Sequence, residues 1–345
     1  MTTPFDPDDA APPGSGLFGL SITPDQAAIH VLAVPFDATT SYRPGTSQGP
    51  DAVLAASHQI DLFDRVFGKP YRSGIVLTKD PRFESWNTEA RALAEPIIEL
   101  GGHIEDLPDA QDKLDRVNEL GQQVRQAVSA FAEDCLAQDR IPVILGGDHS
   151  VPQGSIEACA KAYPGLGILH IDAHADLREA FEGFQFSHAS ILHNVLEQAP
   201  NIAHLLQIGV RDLGAKEAER IESDARIHSI FDDDWAEARQ AGTALRSMVR
   251  DAIAKLPEHV YLTVDVDGLD PSLCPSTGTP VPGGLLWPDI MMILVELARS
   301  GRKVAGFDLC EVSPGPDGDP DGTSWDAVVG ARLLYKLCGC ALSSR

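Results

Sequence analysis

Short apolar runs that end abruptly in charge recur along this chain, with longer amphipathic segments between them. The runs are Ile29–Val34, Gly74–Leu77, Pro142–Leu145, Gly167–Ile171, Leu205–Ile208, Val260–Val264 and Val304–Phe307, and together they are rich in Val, Ile and Leu. The segments between them include Thr88–Leu100, Gln111–Gln138, Val151–Ala162, Thr243–Lys255 and Trp287–Ser300, which read as helices. Gln111–Gln138 is the clearest, with apolar residues at helical spacing through Leu114, Val117, Leu120, Val124 and Val128. Continuous apolar strands alternating with helices predict an α/β fold whose mostly parallel central sheet is covered on both faces. Residues 21–345 carry no repeat, long linker or break in composition and read as a single domain. Residues 1–20, opening with "MTTPFDPDDAAPPGSG", read as a disordered tail.

The residues just after each run matter, because ligands of open parallel sheets bind beyond the carboxyl ends of the strands. Pro142–Leu145 leads into "GGDHS" (146–150), and Gly167–Ile171 into "DAHAD" (172–176). Val260–Val264 leads into "DVDGLDP" (265–271), and Val304–Phe307 into "DLCEVSP" (308–314). The alternation in Asp172-x-His174-x-Asp176 lets an extended backbone aim all three side chains one way, and Asp265-x-Asp267 repeats the device. His149 arrives on the Gly146-Gly147 turn, where missing side chains allow close approach. Four carboxylates gathered on one rim would repel each other and take up protons unless cations sat among them. Two divalent cations balance four aspartates in charge. Oxygen-rich donors with some imidazole and no thiolate favour Mn²⁺ over Zn²⁺, while the affinity series also admits Ni²⁺ or Co²⁺.

Composition narrows the partners. The chain has 27 basic and 51 acidic residues, a net charge of −24, with no Lys/Arg cluster, which excludes a nucleic-acid binder. Such acidity suits steering of a cationic substrate, and it equally serves solubility. None of the six cysteines forms a CxxC pair, residues 1–16 do not resemble a signal peptide, and no run reaches membrane-spanning length. A cytoplasmic protein with reduced thiols and no membrane partner is expected.

"GGDHS", "DAHAD", "DVDGLDPSLCPSTGTPVPGG" and "DLCEVSP" resemble, in order, the signature segments of the ureohydrolases: arginase, agmatinase, guanidino-acid hydrolases and formiminoglutamase. The resemblance implies the three-layer α/β/α arginase-like fold, a dinuclear and usually manganese site, and a homotrimer or homohexamer. It implies that His149, Asp172, Asp176 and Asp265 hold one metal and that Asp172, His174, Asp265 and Asp267 hold the other. It further implies that Glu311 holds the substrate guanidinium, that His188 in "SHAS" shuttles protons, and that Thr279 in "STGTP" lies near the substrate.

The chemistry is consistent with these roles. A guanidinium is a poor electrophile that stays protonated at neutral pH, so water must be activated, and a carboxylate can grip its planar N–H fork. A histidine titrating near pH 6.5 suits protonation of the leaving amine.

Arg178 bears on the substrate. The resemblance places this stretch at the mouth of the site, where arginases carry an asparagine and typical agmatinases lack an arginine. "DLR" resembles formiminoglutamases, but those usually lack the equivalent of His188. "ADLREAFEGFQFSHAS" resembles most an agmatinase-family branch that includes hydrolases of free guanidine, some of which prefer nickel. Arg178 either binds a substrate carboxylate, or pairs with Glu179 or Glu182 and narrows the pocket. Phe181, Phe184 and Phe186 are core or pocket-wall residues, and Arg43 and Gly45 in "FDATTSYRPGTSQGP" shape the rim or a subunit contact. The expected activity is hydrolysis of a small guanidino compound to urea, with a metal-loading accessory protein as a conceivable partner. The alternatives are formamide release from formiminoglutamate and a catalytically silent metal-binding scaffold.

Overall fold

The structure is a computed structural model that describes residues 6–105, 108–319 and 321–345. Its strands are β1 (Ile29–Val34), β2 (Ile75–Lys79), β3 (Ile141–Gly146), β4 (Gly167–Ile171), β5 (His204–Ile208), β6 (Ile227–Ile230), β7 (His259–Val264) and β8 (Lys303–Leu309). They form one sheet in the order β2-β1-β3-β8-β7-β4-β5-β6. Every neighbouring pair runs parallel, so the sheet is wholly parallel rather than mostly so. The helices are α1 (Gly49–Ser57), α2 (Pro81–Ile98), α3 (Ala110–Ala137), α4 (Gln153–Ala162), α5 (Ile191–Gln198), α6 (Ala215–Ser223), α7 (Asp232–Gln240), α8 (Leu245–Ile253), α9 (Trp287–Arg299) and α10 (Trp325–Ser343).

Alternation along the strands divides the core into two layers. Val31, Leu145 and Leu169 pack with Val53 of α1, Val249 of α8, Ile290 of α9 and Leu333 of α10. Their chain neighbours point the other way. Leu32 and Ile144 meet α2 and α3, and Ile168 meets α4 and α5. The stripe expected on α3 is buried at Leu114, Val117, Leu120, Val124 and Val128, and burial of each such side chain stabilises the fold by roughly 1.5–3 kcal/mol. α3 and α4 touch backbone to backbone, since a Cβ on Gly154 would lie 2.1 Å from the Arg125 carbonyl oxygen.

Several expectations needed correction. The predicted tail runs too far: Leu17, Phe18, Gly19 and Leu20 are buried, and Phe18 meets the Tyr335 ring at 4.8 Å while its N–H donates to Ser57 Oγ. Four consecutive apolar or glycine residues (17–20) have somewhere to go, and they close one end of the core. Residues 1–5 lie outside the described residues. α2 starts seven residues before Thr88, because Asp80 caps it by accepting from Arg82 N and Pro81 supplies a preset first turn. The edge strand β6 reads "IHSI", with only its two ends buried, so no continuous apolar run announced it.

Among the described residues no helix is long and apolar enough to cross a membrane, and all six cysteines are buried free thiols.

Candidate metal centre

Because the strands are parallel, their carboxyl ends share one edge. The four central neighbours β3, β8, β7 and β4 deliver His149, Glu311, Asp265 and Asp172 there. The turn after β3 is tight: a Cβ on Gly147 would lie 2.1 Å from the Phe36 carbonyl oxygen. Gly268 lets the Asp265–Asp267 turn press on β4, since a Cβ there would stand 2.6 Å from Asp172 N.

Asp172 sits at the centre. Its Oδ2 lies 2.9 Å from His149 Nδ1, and its Oδ1 lies 3.4 Å from His174 Nδ1. One carboxylate thus faces two imidazoles with different oxygens. Around His149 Nδ1 stand Asp176 Oδ2 at 3.1 Å and Asp265 Oδ2 at 3.6 Å. Around His174 Nδ1 stands Asp267 Oδ2 at 3.0 Å, which also accepts from Thr279 Oγ1 at 3.1 Å. The structure therefore brings together all six of the metal ligands that the resemblance implied. Backbone N–H groups orient them: Asp267 N donates to Asp265 Oδ1, Ala173 N to Asp267 Oδ1 and His174 N to Asp172 Oδ1. The far ring nitrogen of His149 points away from the cluster to Thr263 Oγ1, which donates to Asp308 Oδ1. Thr263 therefore accepts from His149 Nε2–H, so Nδ1 is the nitrogen turned to the carboxylates, and its lone pair becomes free for a cation once its proton is displaced.

The donor set fits cations. Burial and then Asp172 push Asp176 up to about 7, and burial and then Asp267 and Asp172 push Asp265 well above the usual carboxylate range. Burial alone would lower the two imidazoles, yet Asp267 and Asp172 raise His174 to about 12, and Asp172 and Asp176 raise His149 well above its ordinary value. These are groups holding protons that a cation would displace. Asp176 Oδ2 is buried without a hydrogen bond, as is Glu311 Oε2. Both residues adopt left-handed backbone, with φ 54 at Asp176 and φ 64 at Glu311, strain of the kind that collects at working sites.

Glu311 takes the backbone N–H of His149 on Oε1 at 3.0 Å. Its Oε2 faces Gly278, where an added Cβ would stand 3.1 Å away. Burial, then Asp148 and Asp267, raise its carboxyl well above the ordinary range.

His188 lies near enough to His174 and Asp172 to feel their charge, with Nδ1 buried and unpartnered and its ring edge-on to Phe181 at 6.1 Å. Burial, reinforced by His174, lowers it to about 4, so it is neutral at pH 7 rather than titrating near 6.5.

Arg178 is 42% exposed and stands over the Phe181 ring at 5.1 Å. Its acidic neighbour is neither Glu179 nor Glu182 but Glu217, with Nε 3.5 Å from Oε2. Glu217 already receives Leu177 N and Gly214 N, which makes it the capping residue of α6. The aromatic residues divide: Phe184 is core, Phe181 meets the His188 ring, and Phe186 packs on Gly121. Arg43 donates to the Pro275 carbonyl across the rim.

Sequence reasoning passed over three buried polar residues. Asp148 is held by Ser150 and pushed up to about 7 by burial, Asp308 anchors Thr263, and His170 places Nε2 2.9 Å from Asp172 Oδ2. Each lay inside a quoted motif or strand, and the signal was a polar residue within or ending an otherwise apolar run.

The result is a three-layer α/β/α scaffold that carries, at the carboxyl ends of its central strands, His and Asp donors that could hold metal ions. The chain belongs to the arginase family, whose model matches residues 27–339. It is 29% identical over 332 residues to the N(1)-aminopropylagmatine ureohydrolase of Thermus thermophilus, covering 94% of each chain. It is 30% identical over 315 residues to the agmatinase of Pyrococcus horikoshii, covering 90% of each. Among solved structures, the proclavaminate amidino hydrolase of Streptomyces clavuligerus superposes with a TM-score of 0.70 at 23% identity, covering 98% of this chain and all of that one. The protein is an agmatinase-like ureohydrolase, a hydrolase of guanidino C–N bonds.

Proposed function

We propose that this ureohydrolase releases urea from a small guanidinium, free guanidine or one with a short substituent, with two divalent cations, Mn²⁺ before Ni²⁺. On this reading His149, Asp172, Asp176 and Asp265 hold one cation, and Asp172, His174, Asp265 and Asp267 the other. The cations supply Lewis acidity, lower the pKa of water and neutralise the aspartates.

The chain's own groups do the rest. Glu311 has one oxygen engaged by His149 N–H, which leaves Oε2 to take a guanidinium N–H. Thr279 spends its proton on Asp267, so it can only accept from the substrate. His188, neutral at pH 7, would take up the proton that the attacking water gives up and hand it to the departing nitrogen.

The observation that carries the size of the substrate is that Arg178 stands over Phe181, whose ring meets His188, beside Glu217; on this reading it sits at the mouth. A cationic tail such as the amine of agmatine is repelled there, whereas a very small guanidinium passes. Arg178 makes no direct side-chain hydrogen bond among the described residues, which gives a guanidino acid the second place. A homotrimer or homohexamer belongs to the same reading.

The test is urea release by protein loaded separately with Mn²⁺ and Ni²⁺, offered guanidine, agmatine, 4-guanidinobutyrate, 3-guanidinopropionate and arginine, with formamide scored from formiminoglutamate. Turnover of guanidine alone supports the narrow mouth. Turnover of a guanidino acid assigns Arg178 to its carboxylate, and Arg178→Ala then raises KM for that acid. Turnover of agmatine overturns the reading of Arg178.

A further inference from the structure

Four strands that are otherwise mainly apolar each carry a polar residue at the same level. Pairing registers place Thr263 of β7 beside His170 of β4, His170 beside Gln207 of β5, and Gln207 beside Ser229 of β6. Side chains at matched positions of parallel strands leave the same face of the sheet, so the four form one row across it. Burying such a row costs stability unless each group is bonded. The bonds here are directional.

The fixed point is a backbone carbonyl. Gln207 Nε2 lies 2.9 Å from the Ala175 carbonyl oxygen, an acceptor only, so that end of the amide is its NH₂. Its other end agrees, since Ser229 Oγ donates to Gln207 Oε1 at 2.8 Å. The second N–H of the same NH₂ meets His170 Nδ1 at 3.0 Å. His170 Nδ1 must then accept, so the ring proton of the neutral imidazole sits on Nε2. Nε2 is 2.9 Å from Asp172 Oδ2. That oxygen is also the one nearest His149 Nδ1.

We propose that Ser229, Gln207 and His170 form a hydrogen-bond relay that fixes His170 as its Nε2–H tautomer and holds Asp172 Oδ2 in position at the metal centre. His170 is then a positioning residue, and Gln207 and Ser229 set its tautomer from one and two strands further out. The proposal rests on the reading of Asp172 as a metal ligand. His170 stands with His149, Asp172 and Asp176 in one group of donor atoms, and in this relay its lone pair is turned away from them, toward Gln207.

The test measures Mn²⁺ binding by competition with a chelating dye, alongside metal content and the thermal midpoint in chelator. Loss of a donor that orients a metal ligand weakens metal affinity by about 10–100-fold. His170→Leu is expected to show that loss, whereas His170→Gln, which can return an N–H to the Nε2 place, is expected to stay within about threefold of wild type. Gln207→Glu touches no ligand but offers at most one donor where the amide offers two. It turns His170 to the Nδ1–H form, and a loss of about tenfold is expected. Ser229→Ala sits on the edge strand, keeps the fold and is expected to weaken binding by a few-fold. Equal affinity of His170→Leu and His170→Gln, or wild-type affinity of Gln207→Glu, overturns the relay. If one buried variant fails to fold, the other decides alone, and wild-type affinity in Ser229→Ala removes only Ser229 from the relay, since the Ala175 carbonyl still orients the amide. Asp172→Asn separates the two readings. If it loses Mn²⁺ while His170→Leu does not, only the relay fails; if it binds as wild type, the assignment of Asp172 as a ligand fails as well.

Discussion

The backbone N–H of His149 donates to Glu311 Oε1 at 3.0 Å, which ties the turn after β3 to the loop after β8. The imidazole facing the aspartates and the carboxylate offered to the guanidinium are therefore held at a fixed separation by one hydrogen bond. Glu311→Gln keeps an oxygen for that N–H but gives up the charge that pairs with the substrate. A charge-assisted bond is worth about 1.5–3 kcal/mol, so kcat/KM for urea release should fall by roughly 10²-fold. Metal content, measured by emission spectroscopy, should be unchanged. A variant that loses metal in proportion to activity would place Glu311 in the coordination shell instead.

His174 contacts only one half of the cluster, Asp172 Oδ1 and Asp267 Oδ2, and is 26% exposed. His174→Ala should therefore leave the core intact and cost one cation of the two. The expected outcome is metal content falling from two towards one per subunit, urea release falling below detection and a thermal midpoint in chelator close to wild type. Wild-type turnover with unchanged metal content would sink the dinuclear assignment.

Much of this arrangement was legible because strand ends and chemistry coincide. A continuous apolar run followed by Asp-x-His-x-Asp announces both a buried parallel strand and a site at its carboxyl end, which is what β4 provides. What stayed hidden was pairwise. No spacing in the sequence tells that Arg178 lies beside Glu217, 39 positions away, because the loop before α6 comes to the mouth only through the neighbouring positions of β4 and β5. His170 was visible as a residue but not as a partner of Gln207, since the register of β4 against β5 is a property of the sheet. β6 was missed because an edge strand with two polar central residues carries no apolar run. Leu17–Leu20 were assigned to the tail because the composition of the preceding sixteen residues outweighed four residues that pack.

Gly154 offers a prediction about stability alone. It lies on α4 where a Cβ would approach the Arg125 carbonyl of α3 to 2.1 Å and Ser129 N to 2.8 Å, both backbone atoms that cannot swing aside. Gly154→Ala would gain about 1 kcal/mol of helix propensity in isolation. Here it must push two helices apart, an overpacking cost of typically about 1–3 kcal/mol or more, so net destabilisation is expected. The thermal midpoint should fall by several degrees; a rise would mean that α3 and α4 slide without cost.

His188 sets a prediction for pH. Burial lowers its folded value to about 4 against 6.5 for a free imidazole. Between those values the unfolded chain binds the proton and the folded chain does not. The stabilisation from keeping this ring neutral is complete above pH 6.5 and is lost as pH falls towards 4. Nearby cations would depress the value further, so loading the metal centre leaves the sign unchanged. Thermal midpoints at about pH 6.5, 5.5 and 4.5, taken with excess Mn²⁺, should fall more steeply for the wild type than for His188→Asn, which has no such proton to take up. The acid limb of the kcat/KM profile should likewise lack an inflection near 6.5 that disappears in the variant. An inflection there that His188→Asn removes would show that the ring charges in the working range, and that it can donate a proton without first accepting one.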